Sequence, residues 1–357
     1  LNTILHIAAE NFAGVPFDFM HMHKQMGDKS RLITLHSNPL GFKEDICLDF
    51  PISRSNYAKW WRYKKSLIKK DTTHSFYWKP SSFLESLYFS YQSYSRKSTI
   101  HKLIHDYHLD ESSIIHYDAG LDFTRNSFFA KRWKQMGKKI VNCYYGSDLR
   151  SRGIIREMDD LADLSITTEY DHLSMKNNIH YIFYPYNPVE LPGISPEKDF
   201  STIRIVHSPT NRIYKGTDLI CKVIEKLQRS FAFEFYLLEN MSRDEVLKIK
   251  STCTISIDQV GGKHGGTGYG KAGIESLSMG IPVITNMTND YKDWLPENPF
   301  HIANDASQLE QQLVMLLENP DLCKQSGELG KSWVSKYHGY ESVNNQLNTL
   351  YKQYNII

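Results

Sequence analysis

The amino-acid sequence predicts an α/β protein with two doubly wound domains in one chain, and three observations carry that reading. Its 357 residues suggest two domains, each large enough to bury its own core. Short apolar runs rich in β-branched residues alternate with longer stretches of helical period, the pattern of a parallel sheet covered by helices. A Pro-rich passage, YPYNPVELPGISPEKDFS at 184–201, interrupts the alternation, which then restarts.

In the first half, TILHIAAE reads as a strand, AGVPFDFMHMHKQMG as a loop and helix, and SRLITLH as the second strand. SSIIHYDAG, KKIVNCYYGSD and ADLSITTE follow as strands, each ending in small or polar residues as βα turns do. The Pro-rich passage is the expected linker, dividing a first domain over 1–190 from a second over 200–335. There STIRIVHSP, FAFEFYLLEN, CTISIDQV, IPVITN and PFHIAND read as strands, and TDLICKVIEKLQ and RDEVLKIKS as helices. A ligand is expected in the cleft between two such domains, at the carboxyl ends of their strands.

Composition narrows the function. Five scattered cysteines without a C-x-x-C pair indicate neither a disulfide framework nor a zinc site. No run approaches the length of a membrane span, and the opening residues lack a signal-peptide pattern, so the expected location is cytoplasmic. Between Arg54 and Lys102, eleven Lys or Arg face two acids, and the stretch is dense in Trp, Tyr and Phe. Cations interleaved with aromatics suit either a solvated basic face or peripheral contact with an anionic membrane. The same composition would also suit single-stranded nucleic acid, which nothing else in the sequence favours. His101, His105 and His108 would share one side of a helix, where a solvated stripe is preferred to a metal site, and no G-x-S-x-G elbow occurs.

The segment GGTGYGKAGIESLSMGIPVIT, 265–285, admits several readings. Gly265, Gly270 and Lys271 approach a P-loop, but Ala272 stands where the metal-binding hydroxyl belongs. Gly268, Gly270 and Gly273 spell G-x-G-x-x-G, with Asp290 as a ribose acid, yet they fall late in their domain. A third reading is a glycine-rich loop admitting a sugar nucleotide to a helix start. Seven glycines between 261 and 273 exceed what helix packing alone asks. A second segment, IVHSPTNRIYKGTDLICKVIEKL at 205–227, favours the third reading: Arg212 and Lys215 follow a strand end, in a loop before a helix capped by Thr217. Two cations facing a glycine-rich helix start make a diphosphate clamp.

HSPTNRIYKGTDLI, FYLLEN and GGTGYGKAGIESLSMGIPVI, so spaced, resemble the C-terminal domain of the GT-B retaining glycosyltransferases of the family 4 type. The weaker N-terminal motifs agree: ENFAGVPF resembles the acceptor-side glycine loop, and YYGSDLRSRG the H-G-S-D-x-R strand end. SKYHGYESVNNQLNTLY resembles the terminal helix, which would return to the first domain over 336–357. The implied fold is GT-B, two Rossmann-like domains facing across a cleft.

The resemblance also implies a hexosyltransferase, transferring from a nucleotide diphosphate sugar to a glycan or lipid-linked acceptor in cell-surface polysaccharide synthesis, with retention. Arg212 and Lys215 would meet the diphosphate, and Glu275, second Glu of E-x7-E, the ribose. Gly14, Asn211, Glu239, Gly268, Tyr269, Gly270 and Lys271 would complete the donor site. Thr267 stands where the first Glu is usual, Tyr145 replaces the usual histidine, and Asp118 stands where some members carry another. Tyr145 and Asp148 would lie near the acceptor, with Asp118. No cofactor is expected, and the chain has no D-x-D, so no metal either. Thr267 and Tyr145 together motivate an alternative, a catalytically silent GT-B binding protein; an NAD-dependent oxidoreductase is the other.

Overall fold

The structure, a computed structural model, describes residues 1–51, 56–67, 77–188, 191, 202–261 and 267–357. Most of the expected linker, Arg54, and Gly262, Gly265 and Gly266 lie outside them. The chain divides into two compact units, Leu1–Pro185 with Tyr340–Ile357, and Tyr186–Gly339.

The first unit opens with β1 (Thr3–Ala8), α1 (Val15–Gln25), β2 (Lys29–Thr34) and β3 (Ile46–Cys47). It continues through α2 (Asn56–Leu67), α3 (Phe83–Asp106), β4 (Ile114–Asp118) and α4 (Phe128–Gln135). Then come β5 (Lys139–Tyr144), α5 (Arg156–Leu161), β6 (Leu164–Thr167), α6 (His172–Met175) and β7 (His180–Tyr181). The seven strands are parallel in the order β3-β2-β1-β4-β5-β6-β7. Successive strands leave β1 in opposite directions, so the switch point lies where β1 meets β4. Leu5, Ile7, Ile33, Ile115, Phe129 and Trp133 anchor the core.

The second unit runs β8 (Arg204–His207), α7 (Arg212–Lys215), α8 (Thr217–Leu227), β9 (Glu234–Leu237), α9 (Arg243–Lys250) and β10 (Ile255–Gln259). α10 (Lys271–Ser278), β11 (Val283–Thr285), α11 (Asn289–Trp294), β12 (His301–Ile302), α12 (Ala306–Glu318) and α13 (Pro320–His338) complete it. Its five parallel strands are ordered β12-β11-β10-β8-β9, which puts the switch point between β8 and β10. α8 buries Ile220, Val223, Ile224 and Leu227, the stripe its sequence period predicts. A last helix, α14 (Tyr340–Gln353), belongs to the first unit. No helix among the described residues is long and apolar enough to cross a membrane.

Some local expectations change. Arg212 and Lys215 lie on a four-residue helix rather than in a loop, because the Asn211 side chain accepts from the N–H groups of Ile213 and Tyr214 and caps one turn. Thr217 is not the cap of α8: Gly216, at φ 68°, holds that place, and the buried Thr217 hydroxyl meets His207 Nε2 at 2.9 Å. His108 lies beyond the end of α3 at φ 52°, so the three histidines do not share a helix face. His101 packs against Phe129 with ring centroids 5.1 Å apart, while Tyr107, at the end of α3, is 47% exposed.

α13 crosses α10 closely because it presents glycine there. A Cβ on Gly327 would stand 2.2 Å from the Gly280 carbonyl oxygen, and one on Gly330 2.5 Å from Leu277 Cδ2. Backbone cannot swing aside as a side chain can. Gly327→Ala is therefore expected to cost about 2–3 kcal/mol, read as a lower urea midpoint at unchanged slope; an unchanged midpoint would mean that α13 is free to slide.

Candidate functional site

The carboxyl ends of β8 and β10 bring the sequence-singled residues of the second unit together. Lys215, at the end of α7, places Nζ 2.6 Å from Asp258 Oδ1 on β10. The Asp258 side chain is fully buried and that of Lys215 is 17% exposed. Asp258 Oδ2 accepts the Gly270 N–H at 2.8 Å, immediately before α10. One carboxylate thus ties the α7 cation to the glycine-rich helix start. Burial alone would raise the Asp258 pKa; the Lys215 charge and hydrogen bonds overcome it and hold it below the ordinary carboxylate range. A Cβ on Gly270 would lie 3.3 Å from Lys215 Nζ, close enough that the ammonium would have to shift by a few tenths of an ångström.

Arg212 goes elsewhere. Its guanidinium pairs with Glu239 at 2.6 Å and Asp218 at 2.7 Å, with the side chain 45% exposed. Arg212 and Lys215 share no carboxylate among these pairs. Glu275 lies inside α10 and nearly buried, 3.1 Å from Arg243 and 3.5 Å from Lys250, itself 1% exposed. Lys250 Nζ also donates to the Ala272 carbonyl at 2.9 Å. Burial works to raise the Glu275 pKa, but the charges of Lys250 and Arg243 set it below the usual range.

The glycine-loop residues divide. Thr267 accepts the Thr288 N–H on its carbonyl at 3.1 Å, and Gln259 Nε2 donates to the Gly268 carbonyl. A Cβ on Gly268 would collide with the Tyr291 ring at 2.1 Å. Tyr269 turns into the core, stacked on Phe300 at 4.6 Å with its hydroxyl 3.2 Å from His338 Nε2. Lys271 is the first residue of α10.

In the first unit, Gly14 takes φ 74° at the head of α1, in the loop after β1. Tyr145, just past β5, donates its hydroxyl to Asp118 Oδ1 at 2.6 Å, at the end of β4. Asp148 accepts the N–H groups of Tyr145, Gly146 and Leu149 at 2.8–2.9 Å and so shapes the turn itself. Among the described residues no cluster of His, Cys, Asp and Glu suits a metal ion.

Asp258, Gln259, Arg243 and Lys250 escaped the sequence reading. An acid at the end of a strand, before a glycine-rich helix start, was the available signal for Asp258; Arg243 and Lys250 looked like ordinary charges on a solvated helix.

Three histidines pack beside this edge of the first unit. His6 lies 4.5 Å from His116 and 5.2 Å from His23 between ring centroids, and none is more than 1% exposed. Burial pushes all three below the ordinary imidazole value, His23 to about 4. Burial also raises Asp118 to about 8, against its Tyr145 hydrogen bond, and Asp122 to about 7. A histidine held neutral contributes stability above pH 6.5 that is lost as pH falls toward the folded value. A carboxyl with a raised pKa does the reverse: its contribution is lost as pH rises through about 7 to 8. Melting temperature is therefore expected to peak at roughly pH 6.5, the three histidines outweighing the two carboxyls on the acid side. A melting point that kept rising below pH 6 would show that the histidines accept protons within the fold.

No family model matches the chain, and no curated protein matches it. Solved structures do. Sucrose-phosphate synthase from Thermosynechococcus elongatus is 12% identical over 99% of both chains, at a TM-score of 0.59. The catalytic domain of starch synthase IV from Arabidopsis thaliana, bound to ADP and acarbose, is 13% identical over 99% of both, at 0.57. Anabaena HepE in complex with UDP and glucose is 10% identical over 99% of this chain and 100% of that one, also at 0.57. The fold is GT-B, with two Rossmann-like domains.

Proposed function

We propose that this protein is a glycosyltransferase that moves a sugar from a nucleoside diphosphate to a glycan or lipid-linked acceptor, with retention at the anomeric carbon. The observation that carries the reading is Lys215, tied through Asp258 to the start of α10 at the switch point of the second sheet. Departure of the nucleotide builds negative charge on phosphate. A cation and a helix N-terminus fixed in advance stabilise that charge without reorganising. Arg212, on the surface beside Lys215's helix turn, is the second cation, reached once it leaves Glu239 and Asp218. Two of the similar solved structures, one with ADP and one with UDP, support a nucleoside diphosphate here. Glu275 is the ribose contact, and the Asp118–Tyr145 pair lies at the acceptor.

A thermal-shift panel of UDP, GDP, ADP, CMP, NAD and ATP, with and without EDTA, tests the reading. Stabilisation by one nucleoside diphosphate, unchanged by EDTA, is expected. A response to NAD alone would replace the transferase with an oxidoreductase, and nucleotide binding without turnover would leave the silent binding protein. NMR assignment of the product anomer tests retention.

The reading extends to an anionic membrane surface carrying the acceptor. Phe83, Leu84, Leu87, Tyr91 and Tyr94 follow one another along α3, each 51–81% exposed, and Trp60 and Tyr63 of α2 are 49% and 60% exposed. The surrounding excess of Lys and Arg supplies the charge complement. Sedimentation with vesicles containing anionic lipid, abolished by Leu84→Glu with Tyr91→Glu, is the expected result; equal binding to neutral vesicles would count against it.

A further inference from the structure

Past the carboxyl ends of β4 and β5 lie two arginines, with a third within electrostatic reach on α3, and the chemistry assigned so far uses none of them. Arg125 lies in the loop after β4, Arg152 in the segment after β5, and Arg96 on α3. The Arg125 guanidinium carbon sits 5.2 Å from the centre of the Trp78 ring and 5.1 Å from that of Phe89, so aromatic faces hold it in place. Trp78 is itself held at its backbone N–H, which donates to the Ile154 carbonyl at 2.7 Å, two residues beyond Arg152. Arg125 Nη1 is shut off from solvent and has no hydrogen-bond partner among the described residues. A buried donor without an acceptor is costly, and more so when it is charged.

The neighbours deepen the cost. After burial, the largest influences on Arg125 are the positive charge of Arg152, which opposes its own, and the opposite charge of Glu85, with Arg96 again opposing. Glu85 Oε2 accepts the Ser81 N–H and hydroxyl, both at 2.6 Å, at the head of α3. Asp148, the acid that most affects Arg152, also accepts three backbone N–H groups. Arg152 Nη2 donates to the Ala119 carbonyl, which holds the second guanidinium against the same loop that carries Arg125. Arg96 is carried on the Phe50 ring at 4.6 Å. Three guanidinium groups are thus positioned by rings and carbonyls, at the sheet edge where doubly wound domains bind ligands. A planar fork of N–H donors matches oxyanions.

We infer that Arg125, with Arg152 and Arg96, forms a binding site in the first unit for an oxyanion carried by the acceptor, a phosphoryl or a carboxylate group. Only the assignment to an acceptor rests on the transferase reading; the anion site stands without it. Its place past β4, which ends in Asp118, and β5, which Tyr145 follows, puts the anion beside the residues proposed for the acceptor. The acceptor is then an acidic saccharide or a phosphate-linked lipid rather than a neutral sugar.

The test is titration of the full chain with pyrophosphate, glucuronate and, as neutral control, glucose, read by calorimetry. Wild type is expected to bind at least one of the two anions and not glucose. Read in a Lys215→Met, Asp258→Asn background, which removes the cation proposed for the donor diphosphate, Arg125→Gln should weaken that binding at least tenfold, Arg125→Lys less, and Arg96→Gln severalfold. Preference for pyrophosphate identifies a phosphoryl acceptor and preference for glucuronate a uronate. Binding lost in that background with Arg125 intact would place the anion in the second unit and overturn the inference. So would undiminished affinity in both Arg125→Gln and Arg96→Gln, or failure of both anions to bind wild type. Should Arg125→Gln not fold, Arg96→Gln and Arg125→Lys still decide. The transferase reading falls separately, on the nucleotide panel.

Discussion

Lys215→Ala is expected to lower kcat by about 100-fold, with a smaller rise in the donor KM, and to destabilise the protein by about 3–5 kcal/mol. Both effects follow from one distance. With its ammonium 2.6 Å from Asp258, Lys215 neutralises a carboxylate that has no exposed surface, and its loss leaves that charge in the interior. Activity loss in the single variant could then be mere collapse of the α10 approach. The double variant Lys215→Met with Asp258→Asn separates the two roles. The amide oxygen introduced at position 258 still accepts the Gly270 N–H, and no charge is left behind, so most of the stability should return. If Lys215 also stabilises the departing phosphate, kcat stays about 100-fold down in a protein that melts normally. Recovery of activity along with stability would reduce Lys215 to a structural counter-ion.

The second large effect is expected at Glu275. Glu275→Gln strips the compensating charge from Lys250, which is 1% exposed, and should cost about 3 kcal/mol or more. Lys250→Met with Glu275→Gln should restore most of that loss. The ribose role shows in the same double variant: the nucleoside diphosphate should bind about tenfold more weakly although the fold is recovered. Two cations do not exhaust the carboxylate, which has about four lone-pair directions, so a ribose hydroxyl can still donate to it. Undiminished nucleotide affinity would assign Glu275 wholly to the interior of the second unit.

Strands of four or more residues were legible because β-branched runs such as TILHIA and KIVNCY bury both faces. β3 and β7, two residues each, left no period to register, whereas β12, equally short, was read from the apolar run PFHIAND after its turn. In the site, the chain order of cation, helix and glycine loop was legible. The partners were not, since Lys215 meets Asp258 across 43 residues and Lys250 meets Glu275 across 25. A local reading also paired Arg212 with Lys215 by proximity along the chain. One turn of helix, set by the Asn211 cap, instead gives them different carboxylates. Tyr269 sits between two glycines and reads as a loop ring, yet Phe300, Trp333 and His338 draw it inside.

α14 gives the chain an order of assembly. His116 on β4 meets the Tyr351 hydroxyl, and the Phe183 N–H is accepted by Gln346, so the first unit closes on residues that follow the whole of the second. Emerging from the ribosome, the seven-stranded sheet waits with that flank uncovered while the whole stretch from Tyr186 to Gly339 is made. The second unit, contiguous in sequence, is free to fold during that delay. A nascent chain stalled before Tyr340 should therefore hold a native second unit beside a protease-sensitive first one, an order of maturation opposite to the order of synthesis.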